Sequence, residues 1–384
     1  MTSKELVDLA MNRKRPSKIP VMCQLANGHT IINTGVHPID YFTDDEIWTD
    51  CLIRMRQMYD FDGILCHKPG RVHGILDLVE RTDYDAETPT LYMKDGSRIE
   101  CTRDDDAYYK TGPDFNRPTL EQLDPDHLLD WAPESFLAFQ ASKATLPISD
   151  PDAFEDHVFG TLDRVIQKAG DQYSIHGEVR SPLDHFLNIT GMEDGLMALL
   201  DDPEKSLEIL DRTTSWSVAL GVAQVRRGAA AIKVSSPFAG SAFLSPRMYE
   251  KFVLPFEKRI AEAVRAEGAA IYTHTCGAIS DRLELMCQTE VSGIECLDPP
   301  PLGDVEITEA VELLKGKIFI KGNIDPVNTL LRGNAEKVKK DVTTVLEAAR
   351  GMEGFVLSSA CSVAPPAPPD NLKYMVEICR NFEP

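Results

Sequence analysis

A chain of 384 residues with 43% hydrophobic composition can bury one large core, and a barrel of about 250 residues with insertions accounts for it. The formal net charge of −21 repels phosphate backbones and no basic patch offsets it, which excludes nucleic acid as an expected partner. No run of about eighteen apolar residues occurs and the N-terminal MTSKELVDLAMNRKRPSKIP is too charged for a secretory signal, so a soluble cytoplasmic protein with no membrane partner is expected.

Short runs rich in Ile and Val alternate with amphipathic stretches, as expected for parallel strands buried on both faces. In chain order the runs are Ile19–Leu25, Gly63–Cys66, Tyr173–Val179, Ala229–Ser235, Ala269–His274, Ser292–Leu297, Lys317–Asn323 and Gly354–Ser359. Helices are predicted over Asp202–Val225, Pro246–Glu267, Asp304–Leu314, Ala335–Arg350 and Pro369–Asn381, several opening on the Ser, Asp or Pro that favours a helix start. Eight strands with intervening helices predict an α/β fold, a (β/α)₈ TIM barrel spanning the whole chain as one unit.

Strands two and three lie too far apart for one crossover, so an insertion is expected over roughly residues 70–165. Within it TLYMKDGSRIECT alternates around Asp95-Gly96, which predicts a β-hairpin and makes this excursion a candidate lid.

Nine cysteines, an odd number scattered over a long chain, do not form a disulfide framework; free thiols, some of them metal ligands, are the better reading. In a barrel the reactive groups stand after the C-terminal ends of the strands. There the chain places His29, His67-Lys68, Glu178, His274-Thr275-Cys276, Asp298, Asn323 and Cys361. His274 and Cys276 are two apart, so on a continuing strand they share a face. Cys361 follows the eighth strand, and the barrel mouth can bring it to the same ion. One imidazole and two thiolates suit zinc better than magnesium or calcium and leave a position free for substrate. Cys51, Cys101, Cys287, Cys296 and Cys379 read instead as small buried hydrophobes within helix or strand patterns.

The stretches Leu357–Val376 (LSSACSVAPPAPPDNLKYMV), Lys321–Gly333 (KGNIDPVNTLLRG), HTCG at His274–Gly277, Ser235–Ile260 and His176–Lys205 together resemble the uroporphyrinogen decarboxylase superfamily. Within it the chain looks like the corrinoid-dependent methyltransferase branch, whose zinc motif is His-x-Cys followed by a distant Cys. His274, Cys276 and Cys361 match that motif. The decarboxylase branch carries an arginine-rich signature after strand one, where this chain reads CQLANGHT, so the resemblance disfavours decarboxylation. Ser362 departs from the Gly that often follows the last zinc cysteine.

The resemblance implies zinc as cofactor, a corrinoid on a partner protein, and methyl transfer. The expected direction is from a small methyl donor, such as a methoxylated aromatic, to Co(I) of the partner. The alternatives are transfer from a methylcobamide to a coenzyme M-like thiol or to tetrahydrofolate, a decarboxylase-type lyase, and a non-catalytic barrel stabilised by its metal. Glu178 is a candidate fourth ligand or proton donor, or a structural carboxylate pairing Arg180 or a backbone donor. His29, Asp298 and Asn323 are candidate substrate contacts, and Asn323 is equally a candidate cap of the following turn.

Overall fold

The computed structural model describes residues 1–140 and 145–383. Its strands run in chain order as β1 (Gly63–Leu65), β2 (Val79–Asp83), β3 (Thr90–Met93), β4 (Arg98–Cys101), β5 (Ala107–Lys110), β6 (Ser174–Arg180), β7 (Ala231–Ser235), β8 (Ala270–Thr275), β9 (Gly293–Cys296), β10 (Phe319–Ile324) and β11 (Phe355–Ser359). A curled parallel sheet follows the order β1-β6-β7-β8-β9-β10-β11, and β2 to β5 form a separate antiparallel sheet.

The predicted first strand is not a continuous ladder. Residues 20–25 run beside β11, with bridges at Val21↔Leu357 and Leu25↔Val363. On the other edge Val21 accepts a hydrogen bond from the Asp62 backbone N–H (2.8 Å), and its own N–H donates to Asp62 Oδ2 (2.7 Å). A carboxylate thus substitutes for a strand partner where the ring closes next to β1. The barrel is therefore a TIM-type α/β fold with an irregular eighth stave.

Helix starts follow local chemistry. Ser181, Asp202 and Ser245 each accept from a backbone N–H of the first turn and are each followed by Pro at the opening of Pro182–Thr190, Pro203–Arg226 and Pro246–Phe252. The single helix expected over Pro246–Glu267 is broken into two, Pro246–Phe252 and Leu254–Ala266, at Val253 (φ −123°, ψ −57°). Pro255 has no N–H for the carbonyl four residues back, and its ring would collide with that turn. The helix expected from Asp304 begins at Ile307, because the Asp304 carboxylate instead accepts from the N–H groups of Ile279 (2.9 Å) and Ser280 (3.0 Å).

The insertion is larger than a hairpin: β3 and β4 pair around Asp95-Gly96 as expected, and β2 and β5 flank them. Gly96 takes the left-handed φ of +80° that the turn needs, while Asp95 Oδ1 accepts from Ser97 N (3.0 Å) and Oγ (2.6 Å). Asn27, in the helix Asn27–Thr34, ties this sheet to the barrel mouth by donating to Asp106 Oδ1 at 3.0 Å. Among the described residues no helix is long and apolar enough to cross a membrane.

One buried acid sits behind β8. Glu257 is almost wholly enclosed, Oε1 has no partner, and burial pushes its carboxyl up to about 7 despite the hydrogen bond that Oε2 accepts from Thr273. The folded state thus retains a proton that an unfolded glutamate releases near 4.5, so stability falls as pH rises from 4.5 to about 7 and is then level. Glu257→Gln is expected to remove that slope, raising stability by about 3 kcal/mol at pH 8 with little change at pH 4.5. Urea titrations at the two pH values check this; an equal effect at both would show that the carboxyl stays ionised when buried.

Candidate metal centre

Parallel register sets the frame. On neighbouring strands His274 stands opposite Glu295, Lys321 opposite the same Glu295, and Lys233 opposite Glu178. These side chains make a charged layer inside the barrel: Lys233 Nζ lies 2.7 Å from Glu178 Oε2, and Lys321 pairs with Glu295 Oε1, all four being largely or wholly buried. Such pairs persist in a low-dielectric interior only when each charge is matched.

Glu295 also accepts from His274 Nδ1 at 2.9 Å, which turns Nε2 of the imidazole toward the sulfurs. Cys276 Sγ lies 3.3 Å from His274 Nε2 and 3.6 Å from Cys361 Sγ, and Cys361 Sγ lies 3.8 Å from the same nitrogen. A tetrahedral zinc with Zn–S arms of about 2.3 Å and a Zn–N arm of about 2.0–2.1 Å has edges of about 3.8 Å between sulfurs and about 3.6 Å between sulfur and nitrogen. The donor set therefore fits that ion in chemistry and in size. The three groups come from the end of β8 and the loop after β11, so the barrel mouth joins residues 87 positions apart.

A fourth donor joins them. The ligand atoms of His274, Cys276, Cys296 and Cys361 all lie within 4.8 Å of one another. Its place within a strand pattern reads Cys296 as a small buried hydrophobe, and regular alternation would set it on the face opposite Glu295, which points at His274. Left-handed φ values of +90° at Cys296 and +56° at Leu297 break the alternation and swing Cys296 Sγ back to the same centre. Non-glycine residues held there cost about 1–3 kcal/mol each and cluster at functional sites. Burial pushes the Cys296 thiol well up, and it donates to Asp298 Oδ2 at 3.3 Å. Cys361 moves the other way, its thiol drawn far down chiefly by the hydrogen bond from Cys276.

Asp298 shapes this loop, accepting from Gly277 N at 2.7 Å, and Gly277 (φ +77°) makes the turn that a side chain would resist. Burial raises the Asp298 carboxyl, and its Oδ1 is buried without a partner. Asn323 donates to the Leu297 carbonyl at 3.0 Å, and the turn after it is capped by Asp325, which accepts from Val327 N and Asn328 N. His29 is fully buried: Nδ1 donates to the Pro365 carbonyl (3.1 Å) and Nε2 meets Tyr59 Oη (2.7 Å). It braces the loop that carries Cys361, away from the cavity wall.

Glu178 lies outside the group of four. Burial opposes its charge, but Lys233 and then His67 draw the carboxyl down to about 2, so it is an ion at neutral pH and has no proton to donate. Its partners are Lys233 and His67, where the sequence offered Arg180 or a backbone donor. Lys233 continues to Gln24 Oε1 (2.6 Å), and Gln24 Nε2 donates to Ser362 Oγ (2.6 Å). Ser362, the departure from the usual glycine, is thus tied through Gln24 to this charged layer.

The family model for Uroporphyrinogen decarboxylase (URO-D) matches residues 136–382. The chain belongs to the uroporphyrinogen decarboxylase family. Within the family it is similar to a methylcobamide:CoM methyltransferase of Methanosarcina acetivorans, with 30% identity over 218 residues, 56% of this chain and 61% of that protein. It is also similar to a methylated-thiol–coenzyme M methyltransferase of Methanosarcina mazei, 25% identical over 60% of each chain. A uroporphyrinogen decarboxylase of Geobacter metallireducens is 28% identical over 46% of this chain and 48% of its own. The matched part thus spans about three fifths or less of these relatives' lengths. In fold, a methyltransferase from Methanosarcina mazei superimposes with a TM-score of 0.75, covering 100% of this chain and 99% of that one at 18% identity. The match to the family begins inside the insertion and takes in β6 to β11, the part of the barrel that supplies His274, Cys276, Cys296 and Cys361.

Proposed function

We propose that this chain is a zinc-dependent methyltransferase acting between a small methyl donor and the corrinoid of a partner protein, with His274, Cys276 and Cys361 as the zinc ligands. The observation that carries the reading is the set of 3.3–3.8 Å separations among those three groups, beside the methyltransferase names of similar family members. Zinc held there would supply Lewis acidity to the oxygen or sulfur that gives up or receives the methyl group.

The chain's residues supply orientation. Glu295 fixes the imidazole, Asp298 fixes the turn after Cys276, and His29 with Gln24 holds the loop of Cys361. In the donor direction the partner's Co(I) corrinoid would act as the substrate that takes the methyl carbon with its electron pair as the methyl–oxygen bond breaks, and the freed oxygen would take up a proton from water. Glu178, being ionised, serves to neutralise Lys233 in this scheme. The names of the coenzyme M relatives favour a second direction, in which a thiol receives the methyl group from methyl-Co(III) and releases its proton.

Purified chain with Co(I) corrinoid and a panel of methyl ethers, methylamines and methanol tests the donor direction through the cobalt absorbance. Reaction only between methyl-Co(III) and a thiol would replace it by the second. Reaction in neither direction from a chain carrying one zinc would leave the metal structural.

Cys296 is assigned to the margin of the centre, as a thiol held by Asp298 that leaves one zinc position open. Cys296→Ala is expected to keep one zinc per chain and to weaken zinc binding by about 10-fold, at the low end for groups that orient ligands. Chelator competition measures this. Complete loss of metal from Cys296→Ala would make Cys296 a ligand and the site closed.

A further inference from the structure

Beside the metal centre, under the antiparallel sheet, lie two adjoining cavities of ≈ 320 and ≈ 330 Å³ with Lys68, Arg71 and Arg180 in the walls of both. Ser362, next to Cys361, and Glu178 line the first. Arg71 is 92% buried, its guanidinium stacked on the Trp48 ring at 3.6 Å, yet its Nε and Nη2 have no hydrogen-bond partner. A planar donor edge left free in a buried site is costly unless an acceptor meets it.

The acids nearby do not supply that acceptor. Glu178 is taken by Lys233 and His67, and Asp106 Oδ1 by Asn27 and Ala107 N. Asp105 accepts from Tyr108, and Asp184 lies 3.7 Å from Arg180. Arg180 also donates to Gln140 at 2.8 Å. Burial first, and then the charges of Arg71 and Arg180, push the Lys68 ammonium down to about 7; positive charge is in excess around it. Apolar side chains, Leu146, Trp216 and Leu220, complete the first cavity.

We propose that this cavity is a subsite for the carboxylate of a small organic acid, gripped by Lys68, Arg71 and Arg180, with its apolar body against Leu146, Trp216 and Leu220. A carboxylate in the cavity can take the Lys68 ammonium on one oxygen, with the Arg71 and Arg180 guanidiniums in the same walls adding positive charge. That this acid is the methyl donor rests on the function proposed above; that the cavity takes a carboxylate does not.

Titration calorimetry on the full chain with benzoate, phenylacetate and hexanoate, each beside its neutral amide, tests the subsite without metal chemistry. At least one acid is expected to bind about 10-fold or more tighter than its amide, the scale of a charge-assisted hydrogen bond. Lys68→Met and Arg71→Gln are each expected to remove that preference while leaving amide binding unchanged. Should Arg71→Gln disturb the stack on Trp48, Lys68→Met keeps a stem of similar length and carries the test. The subsite is overturned if no acid outperforms its amide, or if the preference survives Lys68→Met. In the corrinoid assay, 3-methoxybenzoate bound but never demethylated in a zinc-loaded chain would count against the donor reading alone. Equal turnover of 3-methoxybenzoate and its amide would count against the subsite alone.

Discussion

Cys361→Ser is expected to leave the chain without stoichiometric zinc and to lower methyl transfer by about three orders of magnitude or more, the scale of losing several kcal/mol of Lewis-acid stabilisation. The hydroxyl that replaces Sγ is a poor ligand for an ion that His274 and Cys276 hold on one side only. Metal content and single-turnover rates on the same preparation measure the two effects together. If the variant keeps one zinc per chain and full rate, the 3.6 Å approach of Cys276 and Cys361 is packing, and the proposed function fails. Lost zinc together with a lower melting temperature, in a chain whose parent shows no transfer, would instead identify a metal kept for stability. The barrel itself should survive, because its strand ladders and apolar core do not pass through Cys361.

Glu295→Gln is expected to be the most damaging single change away from the ligands. The carboxylate is wholly buried, joins Lys321 to His274, and its charge is kept by Lys321 against the pull of burial. Removing it strands the Lys321 ammonium in the barrel, which costs about 3–5 kcal/mol, and frees the imidazole to rotate, which weakens metal binding by about 10–100-fold. The double variant Glu295→Gln with Lys321→Met separates the two effects. Stability should recover in the double variant, because no charge remains unpaired, while zinc affinity should stay low, because His274 still lacks its carboxylate. Recovery of zinc affinity as well would mean that Glu295 acts only through folding.

The reach of sequence reasoning differs between parts of the molecule. Seven of the eight apolar runs became strands with ends shifted by one or two residues, since a strand buried on both faces is mostly apolar even where, as here, single charged residues face the barrel interior. The His274–Cys276 pair was legible for a related reason: its geometry is local, two residues at the end of one strand. The eighth stave was harder, because its closure depends on the Asp62 carboxylate, which no periodicity announces. Cys296 was missed because its orientation follows from a left-handed backbone that the period-two rule does not allow. The role of Glu178 stayed open between ligand, proton donor and structural carboxylate because its position was visible and its partner was not: Lys233 lies 55 positions away and is brought beside it by the parallel register.

What the amino-acid order determined unaided is the alternation of strand and helix, the hairpin at Asp95-Gly96 and the presence of an imidazole and thiols at strand ends, all of which depend on neighbours a few residues apart. The convergence of Cys361 on His274, the recruitment of Cys296, and the gathering of Lys68, Arg71 and Arg180 over one cavity were decided by closure of the sheet. Closure brings groups tens to hundreds of residues apart into a volume from which water is largely removed. There, charge and hydrogen bonding are set by which side chains meet.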